Sequence, residues 1–178
     1  MCMRERTIIT KSTIQTKQFA WLIAKKVARM KSDHARVLAL TGNLGAGKTT
    51  FVQGFAAALG IKEKIQSPTF VLMKIYLLNA QKNFKHLVHI DAYRIEMPQE
   101  LEHLGFHELA KDKDAIILIE WADLIKKLLP NDAIWITFGH GKKANERIIR
   151  INGVVSAFFT KLNSYITYYA GRDKKKRI

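Results

Sequence analysis

At 178 residues the chain has the length of one ordinary domain or slightly more, which argues against separate substrate and cofactor domains. Hydrophobic residues make up 48% and aromatics 10%, enough apolar surface to build a core, so a disordered chain is excluded. Thirty Lys and Arg against fifteen Asp and Glu leave a net charge of +15, which points to a polyanionic partner or an anionic surface and says nothing about fold. The single cysteine, Cys2, excludes an internal disulfide and a thiolate metal cage, which fits a reducing compartment. No apolar run approaches the ~18 residues of a membrane helix, and MCMRERTIIT lacks the apolar segment of a secretion signal. A cytoplasmic protein with no membrane partner is expected.

In chain order, ERTIIT at 5–10 reads as a β-branched strand. Residues 12–30 follow as an amphipathic helix, with Ser12 or Thr13 as N-cap and Phe19, Leu22, Ile23, Val27 and Met30 at helical spacing. RVLAL is a compact strand that runs into TGNLGAGKTT, after which FVQGFAAALG is helical up to a C-capping Gly60. VLMKIYLL and HLVHI read as strands close enough in sequence to pair antiparallel around NAQKNFK, with Asp91 directly after the second. MPQELEHLGFHELA reads as one helix opened by Pro98, with Leu101, Leu104 and Leu109 on one side. AIILIEW is the most apolar run and is expected to be a central strand ending at Glu120, whereas HLVHI, with two histidines, is expected to be less deeply placed. ADLIKKLL is a short helix closed by Pro130, and AIWITFGH and RIIRI form a hairpin through GKKANE. The remainder, 153–178, reads as an amphipathic helix carrying Val155, Phe158, Phe159, Leu162, Ile166 and Tyr169, then a solvated basic tail from Arg172 to Arg177. The expected organisation is therefore one domain over 1–152 and a C-terminal helix and tail over 153–178.

The chemistry lies in Gly42-Asn43-Leu44-Gly45-Ala46-Gly47-Lys48-Thr49, a full G-x-x-x-x-G-K-[ST] phosphate-binding loop set between a strand and a helix. Glycines let the backbone wrap the phosphates closely, and the amides of Gly45, Gly47 and Lys48 are expected to point at phosphate oxygens at a helix N-terminus. Lys48 is expected to bridge the β- and γ-phosphates, and the Thr49 hydroxyl to ligate Mg²⁺. Such a loop also needs an acidic residue at a neighbouring strand end; Asp91 and Glu120 both qualify, and the apolar strand favours Glu120 for the metal. Either one can orient the attacking water. No N-K-x-D guanine motif is present, which favours ATP over GTP. His103 and His107 have zinc-compatible helical spacing without an evident third ligand and are read as an exposed face. Trp121, directly after Glu120, is placed at the nucleotide or partner surface; Trp21 and Trp135 are read as packing residues.

These residues together resemble the bacterial TsaE (YjeE) family, the ATPase component of the machinery that makes threonylcarbamoyladenosine beside the tRNA anticodon. The blocks that carry the resemblance are LTGNLGAGKTTFVQGF, SPTF at Ser67 to Phe70, HIDAYR at His89 to Arg94, ELEHLGF at Glu100 to Phe106, and IEW at Ile119 to Trp121, in order over roughly residues 5–151. The resemblance implies a P-loop NTPase α/β fold whose mixed, partly antiparallel central sheet is flanked by helices. It implies ATP and Mg²⁺ as ligands, with hydrolysis appreciable only when docked to a TsaD-like threonylcarbamoyl-transferase subunit and its TsaB-like paralogue, and tRNA reached through that complex. It puts the phosphate cradle at Gly42 to Thr50 and magnesium at Thr49 and Glu120. Ser67 and Thr69 fall in a switch-like loop, Asp91 on a position used for activity, Trp121 and Arg147 near the nucleotide, and Thr16 or its neighbours near adenine. Lys48, Asp91 and Glu120 are thus the expected catalytic set. Arg94 is within reach of the phosphates from the end of HIDAYR. The resemblance leaves 153–178 uncovered, and the tail is the one segment where direct tRNA contact is testable. Two rival readings are a nucleotide-switched tRNA-binding module without significant turnover, and a small-molecule P-loop kinase. The kinase normally carries an arginine-rich lid, and none is seen between the last strands.

Overall fold

The computed structural model describes residues 5–79 and 83–152. The amphipathic segment and basic tail of 153–178 lie outside the described residues. Seven strands form one sheet: β1 (Arg6–Thr10), β2 (Arg36–Gly42), β3 (Met73–Leu77), β4 (His86–Asp91), β5 (Ala115–Glu120), β6 (Ile134–His140) and β7 (Arg147–Asn152), in the order β1-β7-β6-β2-β5-β4-β3. The four inner strands β6, β2, β5 and β4 are mutually parallel, while β1, β7 and β3 join antiparallel at the two sides. This is the expected mixed α/β sheet, with the β3–β4 pair and the β6–β7 hairpin as read from the chain. Among the described residues no helix is long and apolar enough to cross a membrane.

Helices α1 (Thr13–Val27) and α2 (Lys48–Ala58) cover one face. Ser12 caps α1, its Oγ accepting from the Gln15 N–H at 3.2 Å, and Phe19, Ile23 and Val27 enter the core. Past the end of α2 the Ile61 N–H returns to the Ala56 carbonyl at 3.1 Å, with Gly60 at φ +93° making the turn. The Phe51 ring ties the layer together, with its centroid 5.9 Å from Phe19 of α1 and 5.6 Å, edge-on, from Phe138 of β6. The opposite face, over β2, β5 and β4, is covered by α3 (Gln99–His103), α4 (Phe106–Lys111) and a 3-10 segment at Ala122–Leu128.

Two expectations are corrected. The stretch 97–110 is not one helix: Gly105, at φ +78°, breaks it into α3 and α4, so Leu101 is fully buried while Leu104 stays exposed. A glycine inside a helical pattern can be tolerated or can end the helix, and here turning the chain back onto β5 wins. Strand β4 is also not shallow. It lies between β5 and β3, and Leu87 to Asp91 are all buried, because its two faces enter the core clusters on both sides of the sheet. The segment after Trp121 is helical as expected, in 3-10 form, and stops at Leu129, which is extended as a residue before proline must be.

At the opposite end of β2 from the glycine loop, Asp132 accepts from Arg36 Nη1 at 2.9 Å and from His34 Nε2 at 3.1 Å, while His34 Nδ1 meets Asp33 at 2.6 Å. The hydrogen bond to Asp132, then that to Asp33, hold the His34 imidazole above its ordinary value of 6.5. With a raised folded-state value, the contribution of this contact is complete below 6.5 and is lost as pH rises through the raised value. His34 is partly exposed, so less than ~1 kcal/mol is involved. Urea midpoints measured from about pH 6 to about pH 8 are expected to fall more steeply in the wild type than in His34→Gln; parallel slopes would refute the assignment.

Candidate nucleotide site

Because β2, β5 and β4 are adjacent and parallel, their carboxyl ends lie side by side, and this edge of an open α/β sheet is where ligands bind. Leu40 pairs with Glu120 and Glu120 with Asp91, so the register alone sets both carboxylates next to the loop that leaves β2. That loop turns through Gly42, at φ +123°, where β6 runs so close that a Cβ would sit 2.0 Å from the Phe138 carbonyl oxygen. Only glycine fits there.

Leu44, Gly45, Gly47, Lys48, Thr49 and Thr50 line a cleft of about 420 Å³ whose other wall carries Asp91, Glu120 and Trp121. Gly42 and Asn43 contribute their carbonyls, which accept from Lys48 Nζ at 2.6 and 3.0 Å, and Ala46 is buried beneath the loop. Arg147 reaches the loop from β7, its Nη2 donating to the Gly45 carbonyl at 3.1 Å. A methyl group placed on Gly47 would touch Arg147 at 3.8 Å and the Thr16 methyl at 4.0 Å, so both flank the loop from its far side. Thr16 is buried and its hydroxyl is engaged with Thr10 at 2.8 Å, so its methyl packs against the loop from within the fold. Arg94 is not part of this wall; its guanidinium lies 4.6 Å from the centre of the Phe70 ring.

Lys48 is 4% exposed, and among the described residues no carboxylate lies within ion-pair distance of it. Burial pushes its ammonium below the ordinary lysine value, opposed by the more distant charges of Glu120, Asp91 and Asp123. The Trp121 ring lies 3.7 Å from Nζ, presented there by a left-handed backbone at φ +60° and packed at 5.0 Å, tilted by 45°, against Tyr93. A buried ammonium held by two carbonyls and a ring face, with no carboxylate in ion-pair distance, is suited to receive an anion.

The oxygen donors on the facing side of the loop are hard. Thr49 Oγ1 donates to Glu120 Oε2 at 2.8 Å, and Asp91 accepts from Ser67 Oγ, from Thr69 Oγ1 at 2.7 Å and from the Tyr93 N–H at 3.0 Å. Hydroxyls and carboxylates without thiolates suit Mg²⁺, a cation that keeps waters and shares its shell with phosphate oxygens. Among the described residues no group of three His, Cys, Asp or Glu forms a metal cage. Residue-level reasoning did not single out His89 or Tyr93. His89 is fully buried and donates Nε2–H to Glu120 Oε1 at 3.0 Å, and Tyr93 lines the cleft. Strand alternation, which sets residues 89 and 91 on the same side, was the available signal for His89.

Residues 10–149 match the family described as "Threonylcarbamoyl adenosine biosynthesis protein TsaE". The chain is similar to the tRNA threonylcarbamoyladenosine biosynthesis protein TsaE of Bacillus subtilis, 41% identical over 115 residues, which is 63% of this chain and 68% of that protein. The Haemophilus influenzae protein of the same name is 32% identical over 146 residues, covering 79% of this chain and 89% of the relative. The crystal structure of Bacillus subtilis YdiB superposes with a TM-score of 0.68 at 30% identity, covering 96% of this chain and 99% of that one. With its glycine loop, paired strand-end carboxylates and family match in agreement, the chain belongs to the TsaE family.

Proposed function

We propose that this protein is an ATP-binding, Mg²⁺-dependent ATPase that supports threonylcarbamoylation of the adenosine beside the tRNA anticodon, with turnover completed by partner proteins. The observation that carries the ATPase reading is the buried Lys48, with no carboxylate in ion-pair distance, at the N-terminus of α2 beside Thr49 and facing Glu120 and Asp91 across one cleft. On triphosphate binding, Lys48 Nζ exchanges its two carbonyl partners for phosphate oxygens, and loop amides at the helix end add fixed positive dipoles. Thr49 and Glu120 are the residues that would hold Mg²⁺, which when bound neutralises charge on the phosphate oxygens. Asp91, fastened by two hydroxyls and one amide, is placed to orient a water for in-line attack on the γ-phosphorus, so that the bond to the bridging β-oxygen breaks as the bond to water forms.

Partner dependence is supported by what surrounds the cleft. Leu44 and Phe70 are 79% and 84% exposed, and Val71 and Tyr93 are exposed beside them, an apolar rim of the kind that docking surfaces carry. Arg94 is stacked on Phe70 and Arg147 is occupied by loop carbonyls at Gly45, Ala144 and Glu146. A further cation for the transition state can then come from a TsaD-like subunit or its TsaB-like paralogue. ATP turnover by the chain alone and with both proteins, purified together, tests this. Stimulation of at least about tenfold is expected; full turnover by the isolated chain would sink the gating. Lys48→Ala is expected to weaken nucleotide binding by about 100-fold or more in equilibrium titration, and unchanged affinity would refute the site.

A further inference from the structure

We infer that His89 is a positioning residue that holds the Glu120 carboxylate in the orientation its metal role requires; this rests on the Mg²⁺ reading of the site. His89 is 0% exposed on β4, among Leu87, Val88 and Ile90, where an aliphatic side chain is the ordinary choice for a core strand. Its Nε2 reaches Glu120 Oε1 at 3.0 Å, and the other oxygen of the same carboxylate accepts from Thr49 Oγ1 at 2.8 Å. A carboxylate only accepts, so Nε2 carries a proton and donates it to Glu120. Nδ1 is buried with no hydrogen-bond partner among the described residues, so the imidazole brings an unsatisfied polar atom into the core in exchange for a single outward bond. That exchange makes sense only if the outward bond matters.

The bond constrains a soft coordinate. The last torsion of a glutamate is broad and roughly two-fold, so a carboxylate held at one oxygen by Thr49 alone can swing about that contact. His89 fixes the second oxygen from beneath the sheet edge, and with both oxygens held the carboxylate plane is set before any cation arrives. Outer partners of this kind change metal affinity by about 10–100-fold when removed.

His89→Leu fills the volume without a donor, and His89→Gln returns an N–H near the position of Nε2. The measurement is equilibrium binding of a fluorescent ADP analogue, with EDTA and then across a Mg²⁺ series, alongside thermal melting of each variant. His89→Leu is expected to raise the Mg²⁺ concentration at half-effect by about tenfold or more, with binding in EDTA unchanged, and His89→Gln to recover most of that shift. A Mg²⁺ dependence in His89→Leu that superimposes on the wild type, or no difference between Leu and Gln, overturns the role. If the wild type itself gains no affinity from Mg²⁺, the metal reading fails first and takes this inference with it. Should His89→Leu not fold, nitrogen-15 spectra of the wild-type imidazole decide. Nε2–H is expected at neutral pH, with a resonance that moves in Glu120→Gln, and a proton on Nδ1 alone overturns the assignment.

Discussion

Asp91→Ala is expected to keep nucleotide affinity within a few-fold of the wild type while lowering partner-stimulated turnover by about 100-fold or more, ~2.7 kcal/mol of barrier. Binding is expected to survive because the proposed phosphate contacts are made by the loop and Lys48, and Asp91 hydrogen-bonds to neither. Turnover falls for two separable reasons. The carboxylate charge is lost from the water position, and the 67–72 segment loses the acceptor that holds Ser67 and Thr69. Asp91→Asn divides the two for the 67–72 segment, since its carbonyl still accepts from both hydroxyls while the charge and the bond from the Tyr93 N–H are given up. If the asparagine variant is as slow as the alanine one, the charge is the working element. If it recovers, loop order is. Normal hydrolysis by Asp91→Ala would remove Asp91 from the mechanism.

Gly54→Ala is expected to destabilise the fold by about 2 kcal/mol or more, although in an ordinary helix the same change stabilises by ~1 kcal/mol. Gly54 sits mid-helix in α2 where α1 crosses it. A Cβ there would lie 2.5 Å from the Lys17 carbonyl oxygen and 2.6 Å from the Lys17 Cα. Those neighbours are backbone, so no rotamer change relieves the overlap, and the two helices must move apart through the layer that holds Phe19 and Phe51. The steric cost therefore outweighs the propensity gain. A melting temperature lower by several degrees is expected at ~2–4 °C per kcal/mol for a chain of this size, and an unchanged or higher one would show that the helices separate freely.

These cases mark the boundary of what the residues disclose when read in order. The strands were legible because each is a short apolar or alternating run bounded by turn residues, and RVLAL followed by GNLGAGKTT needs no tertiary knowledge to be a phosphate loop. Gly54 was invisible because nothing local separates a glycine that admits a crossing helix from one that is merely tolerated. The single helix read over 97–110 failed at Gly105 for a related reason: the periodicity of Leu101, Leu104 and Leu109 satisfied a helix that packing onto β5 did not want. His89 was misread because strand depth is a property of neighbours. Two histidines in HLVHI suggest a shallow strand until the layers packed over both of its faces are known.

The loop glycines, Lys48 and Thr49 announce their chemistry along the chain because they act through backbone conformation and immediate neighbours, which a contiguous motif records in full. Which carboxylates meet that loop depends instead on strand order and register. Glu120 stands beside Asp91, and His89 beneath Glu120, only because β4, β5 and β2 are parallel neighbours. No local pattern encodes that pairing, since it arises from contacts between segments dozens of residues apart, chosen by how the whole sheet buries its faces.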